Sequence, residues 1–181
     1  MSAIECNLEK EYYKKMKKNI VLIGMPSCGK TTIGKILAKE WQRPFFDSDE
    51  EIIKQEHCSI PELFKEKGEV YFRKVEAKII EQLSQKEACI ISTGGGVILN
   101  KKNMECLQKN GWILFIDRPL SQLVSQDENR PLLKNKHSIQ QLYKERYDLY
   151  VHFAHKIIQN NGRIEDTLDA VRRYDHDFNN F

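Results

Sequence analysis

The segment Gly24-Met-Pro-Ser-Cys-Gly29-Lys30-Thr31 carries the most specific chemistry in this chain. It fits G-x-x-x-x-G-K-[ST] without a departure, between an aliphatic run and a helical pattern, which is the context the motif requires. Glycines let a backbone fold around phosphate oxygens so that successive N–H groups point inward, and the helix that follows adds the positive end of its dipole. Gly24, Pro26, Ser27, Cys28 and Gly29 would form the wall of such a loop, with Thr32 continuing the phosphate-binding set. Lys30 would reach the β- and γ-phosphates, and the Thr31 hydroxyl would ligate Mg²⁺. The implied ligand is ATP or a similar nucleotide. A cysteine just before a helix N-terminus can have its thiol acidified. Cys28 is therefore expected either to react with alkylating reagents and block the nucleotide, or to serve as a small buried filler.

A phosphate loop does not separate a kinase from a GTPase or a nucleotide sensor, so the acceptor side must decide. Asp47-Ser-Asp49 follows Phe45-Phe46 at the end of an expected strand, the edge where open α/β sheets bind ligands. One carboxylate could serve Mg²⁺ through water and the other substrate hydroxyls; alternatively, Asp49-Glu-Glu51 is the acidic first turn of a helix. Arg73 follows Glu69 and precedes Glu76 at helical spacing, so an intrahelical ion pair competes with ligand binding. Gly94-Gly95-Gly96 ends another apolar run, and bare backbone there permits close approach. Asn129-Arg130-Pro-Leu-Leu133 occupies a polar stretch suited to a mobile lid. Arg146 stands among Tyr143, Tyr147 and Tyr150. Taken singly, Arg130 and Arg146 would be ordinary surface charges.

The elements that must position these residues alternate along the chain. Ile20-Val-Leu-Ile23, Pro44-Phe-Phe46, Ala88-Cys-Ile-Ile-Ser92, Trp112-Ile-Leu-Phe-Ile116 and His155-Lys-Ile-Ile158 read as strands. Between them, Ile33, Ile36, Leu37 and Trp41 recur at helical spacing. Ser59-Ile-Pro-Glu62 is a capping box whose helix Gly68 closes, and a longer helix carries Val75, Ile79, Ile80 and Leu83. Ser138-Ile-Gln-Gln141 caps a helix reaching Tyr150, and Thr167 to Arg173 forms a closing helix. Such alternation predicts an α/β fold, a roughly five-stranded parallel sheet with helices on both faces. Trp41 and Trp112 are expected in the core.

Bulk properties narrow the setting. The chain has 181 residues, the size of one domain, with 40% hydrophobic and 30% charged residues. A net charge of +3 gives no case for nucleic-acid binding, and no apolar run approaches the roughly 18 residues of a membrane helix. Five scattered cysteines without a C-x-x-C pair suit a reducing cytoplasm. His152 and His155 form H-x-x-H without a third ligand, so a metal site there is not expected. Residues 1–17 read as an extension, 18–174 as the domain, and 175–181 as a tail.

Taken together, the phosphate loop, Asp47-Ser-Asp49, Gly68-Glu-Val-Tyr-Phe-Arg73, Gly94 to Gly96, Arg130 to Leu133 and Arg146-Tyr-Asp-Leu-Tyr150 resemble, in order, the motifs of the shikimate kinase family. The resemblance covers roughly residues 18–172 and implies the P-loop kinase fold, with a mobile lid over about 119–137. It implies an active, monomeric ATP-dependent kinase of the shikimate 3-hydroxyl, a step of aromatic amino acid biosynthesis. Catalysis would involve Asp49, Lys30 and Arg130. Thr31 and Asp47 would hold Mg²⁺, Asp47 through water, while Asp49, Arg73, Gly94, Gly95, Gly96 and Arg146 would hold shikimate. Glu76 would orient Arg73, and Arg130 would close over the nucleotide. A gluconate kinase or nucleoside monophosphate kinase shares the loop but does not explain the acceptor motifs together. A regulatory module without catalysis would not need them. Many family members carry a basic residue near adenine several positions before the lid arginine; here that stretch reads Leu123-Val-Ser-Gln-Asp127.

Overall fold

A computed structural model of the chain describes residues 18–123 and 136–177. Strand β1 (Asn19–Ile23) is buried along its whole length, which is why it reads as an unbroken aliphatic run rather than an alternating one. It is followed by α1 (Lys30–Glu40), β2 (Phe45–Asp47), α2 (Ser48–Glu56), α3 (Ile60–Ser84), β3 (Ile90–Ser92) and a single 3₁₀ turn (Val97–Leu99). The chain continues through α4 (Lys101–Lys109), β4 (Gly111–Asp117), α5 (Lys136–Phe153), β5 (Lys156–Gln159) and α6 (Ile164–Asp177). The strands form one five-stranded parallel sheet in the order β2-β3-β1-β4-β5.

Register explains how this sheet builds a site. β1 pairs with β3 through Leu22 and Ser92, and with β4 through Ile23 and Phe115. All strands run the same way, so the segments after β1, β2, β3 and β4 emerge together at one edge. The phosphate loop, Asp49 and the glycine turn are thus brought side by side although they are distant in sequence. The switch in connection order on either side of β1 makes this the crevice where a ligand can enter.

The structure refines several expected elements. Asp49-Glu50-Glu51 forms the acidic first turn of α2, and Asp47 caps this helix by accepting the Asp49 N–H at 3.0 Å. The capping box at Ser59 is present, and Gly68, with φ 76° and ψ 172°, ends the helix it opens, so that α3 is two helices meeting at that residue, as expected. β3 begins at Ile90 rather than Ala88, because Ala88 takes a left-handed φ of 55° and the Cys89 N–H turns to the Asn19 side chain. α5 already includes Lys136, upstream of the expected cap at Ser138. Trp41 is in the core, whereas Trp112 is only half-buried, with the Lys18 ammonium 4.3 Å from its ring centre. Among the described residues no helix is long and apolar enough to cross a membrane. Arg130 and the Pro131 to Leu133 stretch lie outside the described residues.

α1 packs on the sheet through Gly34, where a methyl group would sit 2.5 Å from the Phe45 ring and 3.2 Å from Leu22 Cδ1. Alanine would raise helix propensity by about 1 kcal/mol, yet forcing a carbon into a filled interface costs about 1–3 kcal/mol. Gly34→Ala should therefore be net destabilised in urea unfolding. A variant more stable than the parent would show that α1 can lift from β2 freely.

Candidate functional site

The phosphate loop begins under β4. A methyl group at Gly24 would meet the Ile116 carbonyl oxygen at 2.6 Å, so only a bare backbone can pass there. Lys30 is buried and its ammonium donates to the carbonyls of Gly24 at 3.0 Å and Met25 at 2.8 Å, spanning the start of the loop. Thr31 donates its hydroxyl proton to Asp47 Oδ2 at 2.8 Å, and its oxygen lies 3.4 Å from the Ser92 hydroxyl. Thr31 and Asp47, separated in sequence, thus form a compact set of hard oxygen donors beside the loop. Mg²⁺ prefers such donors, taking only one or two carboxylates from protein and the rest from phosphates and water.

The acceptor residues gather on the neighbouring side. Asp49 lies in the first turn of α2, and its Oδ1 would be 2.6 Å from a methyl group at Gly94. The helix-turn reading of this residue therefore holds, and its carboxylate also lies against the glycine turn. Arg73 likewise makes intrahelical pairs, to Glu76 Oε2 at 2.9 Å and to Glu69 Oε1 at 3.2 Å, while its guanidinium lies against Gly96. A methyl group at Gly96 would stand 2.5 Å from Arg73 Nη1. Glu76 is buried at 1% exposure, and burial pushes its carboxyl above the ordinary glutamate range against the pull of Arg73 and Arg146. Burial also works against the charge of Arg73, but Glu76 and Glu69 together hold its pKa above the usual arginine value.

Arg146 is only 6% exposed, which removes the surface-charge reading. From α5 it donates to the Gly95 carbonyl at 3.2 Å, and Tyr150 donates to the same oxygen at 2.6 Å. Desolvation raises the Tyr150 phenol well above its ordinary range, so the hydroxyl remains a donor. The turn is also fixed from below, where the Gly94 N–H donates to the Ser48 hydroxyl at 2.9 Å. On its outer side Gly95 touches the phosphate loop, since a methyl group there would meet Pro26 Cδ at 2.8 Å. The structure thus brings together the described acceptor residues Asp47, Asp49, Arg73, Gly94 to Gly96 and Arg146 beside the loop.

Other supporting residues had no motif to announce them. Asp117, at the end of β4, accepts from Tyr143 at 3.4 Å and from the Gln159 amide at 3.1 Å, tying α5 to the sheet. Burial and the nearby Asp117 charge push the Tyr143 phenol up to about 12. Asn160 and Thr167 bond to each other beneath the phosphate loop. His155 is structural: its Nδ1 accepts the Ile113 N–H at 2.9 Å, and desolvation lowers its pKa, aided by Lys18.

The family model described as "Shikimate kinase" matches residues 26–174. A shikimate kinase of Clostridium botulinum (strain Alaska E43 / Type E3) is 43% identical over 161 residues, covering 87% of this chain and 97% of that protein. Among solved structures, a shikimate kinase from Acinetobacter baumannii in complex with shikimate superposes with a TM-score of 0.83 at 33% identity, covering 91% of this chain and 94% of that one. The shikimate kinase from Aquifex aeolicus gives a TM-score of 0.75 at 35% identity, covering 84% and 93%.

Cys28 takes the filler role rather than the reactive one. It is 0% exposed, its Sγ stands 3.6 Å from the Lys30 ammonium, and a methyl group at Gly24 would meet it at 2.9 Å. Cys89 is also fully buried, and desolvation pushes its thiol to about 11. Brief maleimide treatment of the native protein followed by peptide mass mapping should modify the half-buried Cys58 and Cys106 while sparing Cys28 and Cys89. Rapid native labelling of Cys28 would contradict this packing.

Proposed function

The chain belongs to the shikimate kinase family, and from that premise we propose that the residues at the C-terminal edge of its sheet carry out ATP-dependent phosphorylation of the shikimate 3-hydroxyl. The observation that carries this assignment is the contact between Gly95 and Pro26, which sets the acceptor turn directly against the phosphate loop. A phosphoryl group and an acceptor hydroxyl held on either side of that contact need little further approach.

ATP lies with its phosphates in the Gly24–Thr32 loop, and Lys30 shifts from loop carbonyls toward the β- and γ-phosphates. Thr31 and, through water, Asp47 are the residues suited to hold Mg²⁺. When bound, that ion neutralises charge on the phosphate oxygens. Shikimate lies between Asp49 and the arginines. The planar forks of Arg73 and Arg146 suit a carboxylate, and the backbone of Gly94 to Gly96 lets the ring approach. Asp49 accepts the proton as the 3-hydroxyl oxygen bonds to the γ-phosphorus and the bond from phosphorus to the ADP oxygen breaks. Arg130, from the lid sequence, adds positive charge to the phosphoryl group in flight.

The direct test is ADP release with shikimate, gluconate and AMP as acceptors. Turnover is expected with shikimate, whereas turnover with gluconate or AMP alone would overturn the assignment. Two arginines should then separate kinetically. Arg73→Ala should chiefly raise the KM for shikimate, while Arg130→Ala should lower kcat by about 10² to 10³, the usual consequence of losing a group that meets charge developing in the transition state. An Arg130→Ala enzyme with unchanged kcat would remove that residue from the mechanism.

Glu76 gives the assignment a pH signature. Because burial raises its pKa, it takes up a proton at a higher pH than an ordinary glutamate and then loses its charge toward Arg73. The shikimate KM should therefore rise as pH falls through that titration, and Glu76→Gln should already show the low-pH KM at neutral pH. A Glu76→Gln KM that still changes with the same acid limb would assign the titration to another group.

A further inference from the structure

Asn160 follows β5, remote in sequence from the phosphate loop, and is 6% exposed. Its backbone N–H donates to the Asp117 carbonyl at 2.7 Å, which locks it to the end of β4. Its Nδ2 donates to the Cys28 carbonyl at 2.8 Å, and its Oδ1 accepts the Thr167 hydroxyl at 3.0 Å. These bonds fix the sense of the amide: a carbonyl can only accept, so the NH₂ must face Cys28 and the oxygen must face Thr167. Thr167, in α6, is itself 1% exposed.

The bond to Cys28 matters because of what shares its peptide plane. In a trans peptide the C=O of one residue and the N–H of the next point in opposite directions, and no cis peptide is present. With the Cys28 oxygen turned to Asn160, the Gly29 N–H of the same peptide points the opposite way, away from Asn160. Gly29 has φ 99°, a conformation open to glycine, and glycine also makes rotation of this peptide easy. A rotated peptide would aim a carbonyl oxygen at the phosphates in place of an N–H. The loop sequence by itself does not prevent that rotation. Lys30 occupies the carbonyls of Gly24 and Met25, whereas the Cys28 carbonyl is held from outside the motif.

We propose that Asn160, oriented by Thr167, is a positioning residue for phosphate binding: it holds the Cys28 carbonyl outward and thereby keeps the Gly29 N–H directed at the nucleotide's phosphate oxygens. The proposal rests on the nucleotide-binding reading of the loop given above. It concerns ATP and ADP, not shikimate, whose proposed residues gather around the Gly94 to Gly96 turn. Asn160→Asp keeps the shape and removes the donor. Thr167→Val keeps the shape of its side chain and removes the hydroxyl that orients the amide.

Isothermal titration of the full chain with ADP and, separately, with shikimate tests this. Asn160→Asp should weaken ADP binding on the order of tenfold to a hundredfold, the loss of one well-placed hydrogen bond to a charged ligand. Thr167→Val should weaken it in the same direction by less, with shikimate affinity retained in both variants and the KM for ATP rising while that for shikimate does not. Unchanged ADP affinity in both variants would overturn the proposal. Parallel loss of ADP and shikimate binding in both would also overturn it, by marking the pair as merely structural. Failure of the unsubstituted protein to bind ADP would instead defeat the nucleotide reading, and the proposal with it.

Discussion

Gly95 is where the two halves of the site meet. Its α-carbon rests against Pro26 of the phosphate loop, and its carbonyl receives the hydrogen bonds of Tyr150 and Arg146. The first contact sets the glycine turn against the phosphate loop, and the second fixes the turn to α5. Both depend on the sheet register, because β1 and β3 are adjacent and parallel and therefore deliver the loop and the glycine turn to the same place. A side chain at this position would have to displace the proline ring, which is why bare backbone is found where close approach is required.

Around that contact the charges are arranged so that each has a partner within the fold and a face toward the site. Arg73 is held by Glu76 and Glu69 and still presents its guanidinium to Gly96. A buried glutamate is costly to ionise, as the raised pKa of Glu76 reflects, but its presence fixes an otherwise mobile cation. Asp47 serves as a helix cap through one oxygen and meets Thr31 through the other. Such double use means that ordinary structural interactions pre-orient the groups proposed for the reaction, at little extra cost on binding.

Much of this was legible in the sequence because it depends on local rules. The phosphate loop, the strand and helix alternation and the glycine turn each declare themselves through residue types at fixed spacing. Where local reading offered alternatives, as for Asp49 as helix cap turn or ligand and Arg73 as ion pair or ligand, the structure makes them compatible, since neighbouring turns of a helix and the sheet edge share the same space. The residues that local reading missed act across long separations. Asn160 reaches Cys28 through tertiary packing alone, and the Ser48 hydroxyl reaches the Gly94 N–H in the same way. Cys28 was ambiguous because a helix N-terminus can activate a thiol only if water or reagent reaches it, and burial is not encoded in the motif.

Single-turnover phosphoryl transfer in Gly95→Ala tests the role of the contact between Gly95 and Pro26 most directly. The added methyl should part the loop from the acceptor turn while each ligand still binds its own half of the site. Misplacement of reacting groups by about 1 Å lowers rates on the order of a hundredfold, so the chemical step should slow by that order with ADP and shikimate affinities largely retained. An unchanged chemical rate would contradict the claim that this contact sets the geometry of transfer.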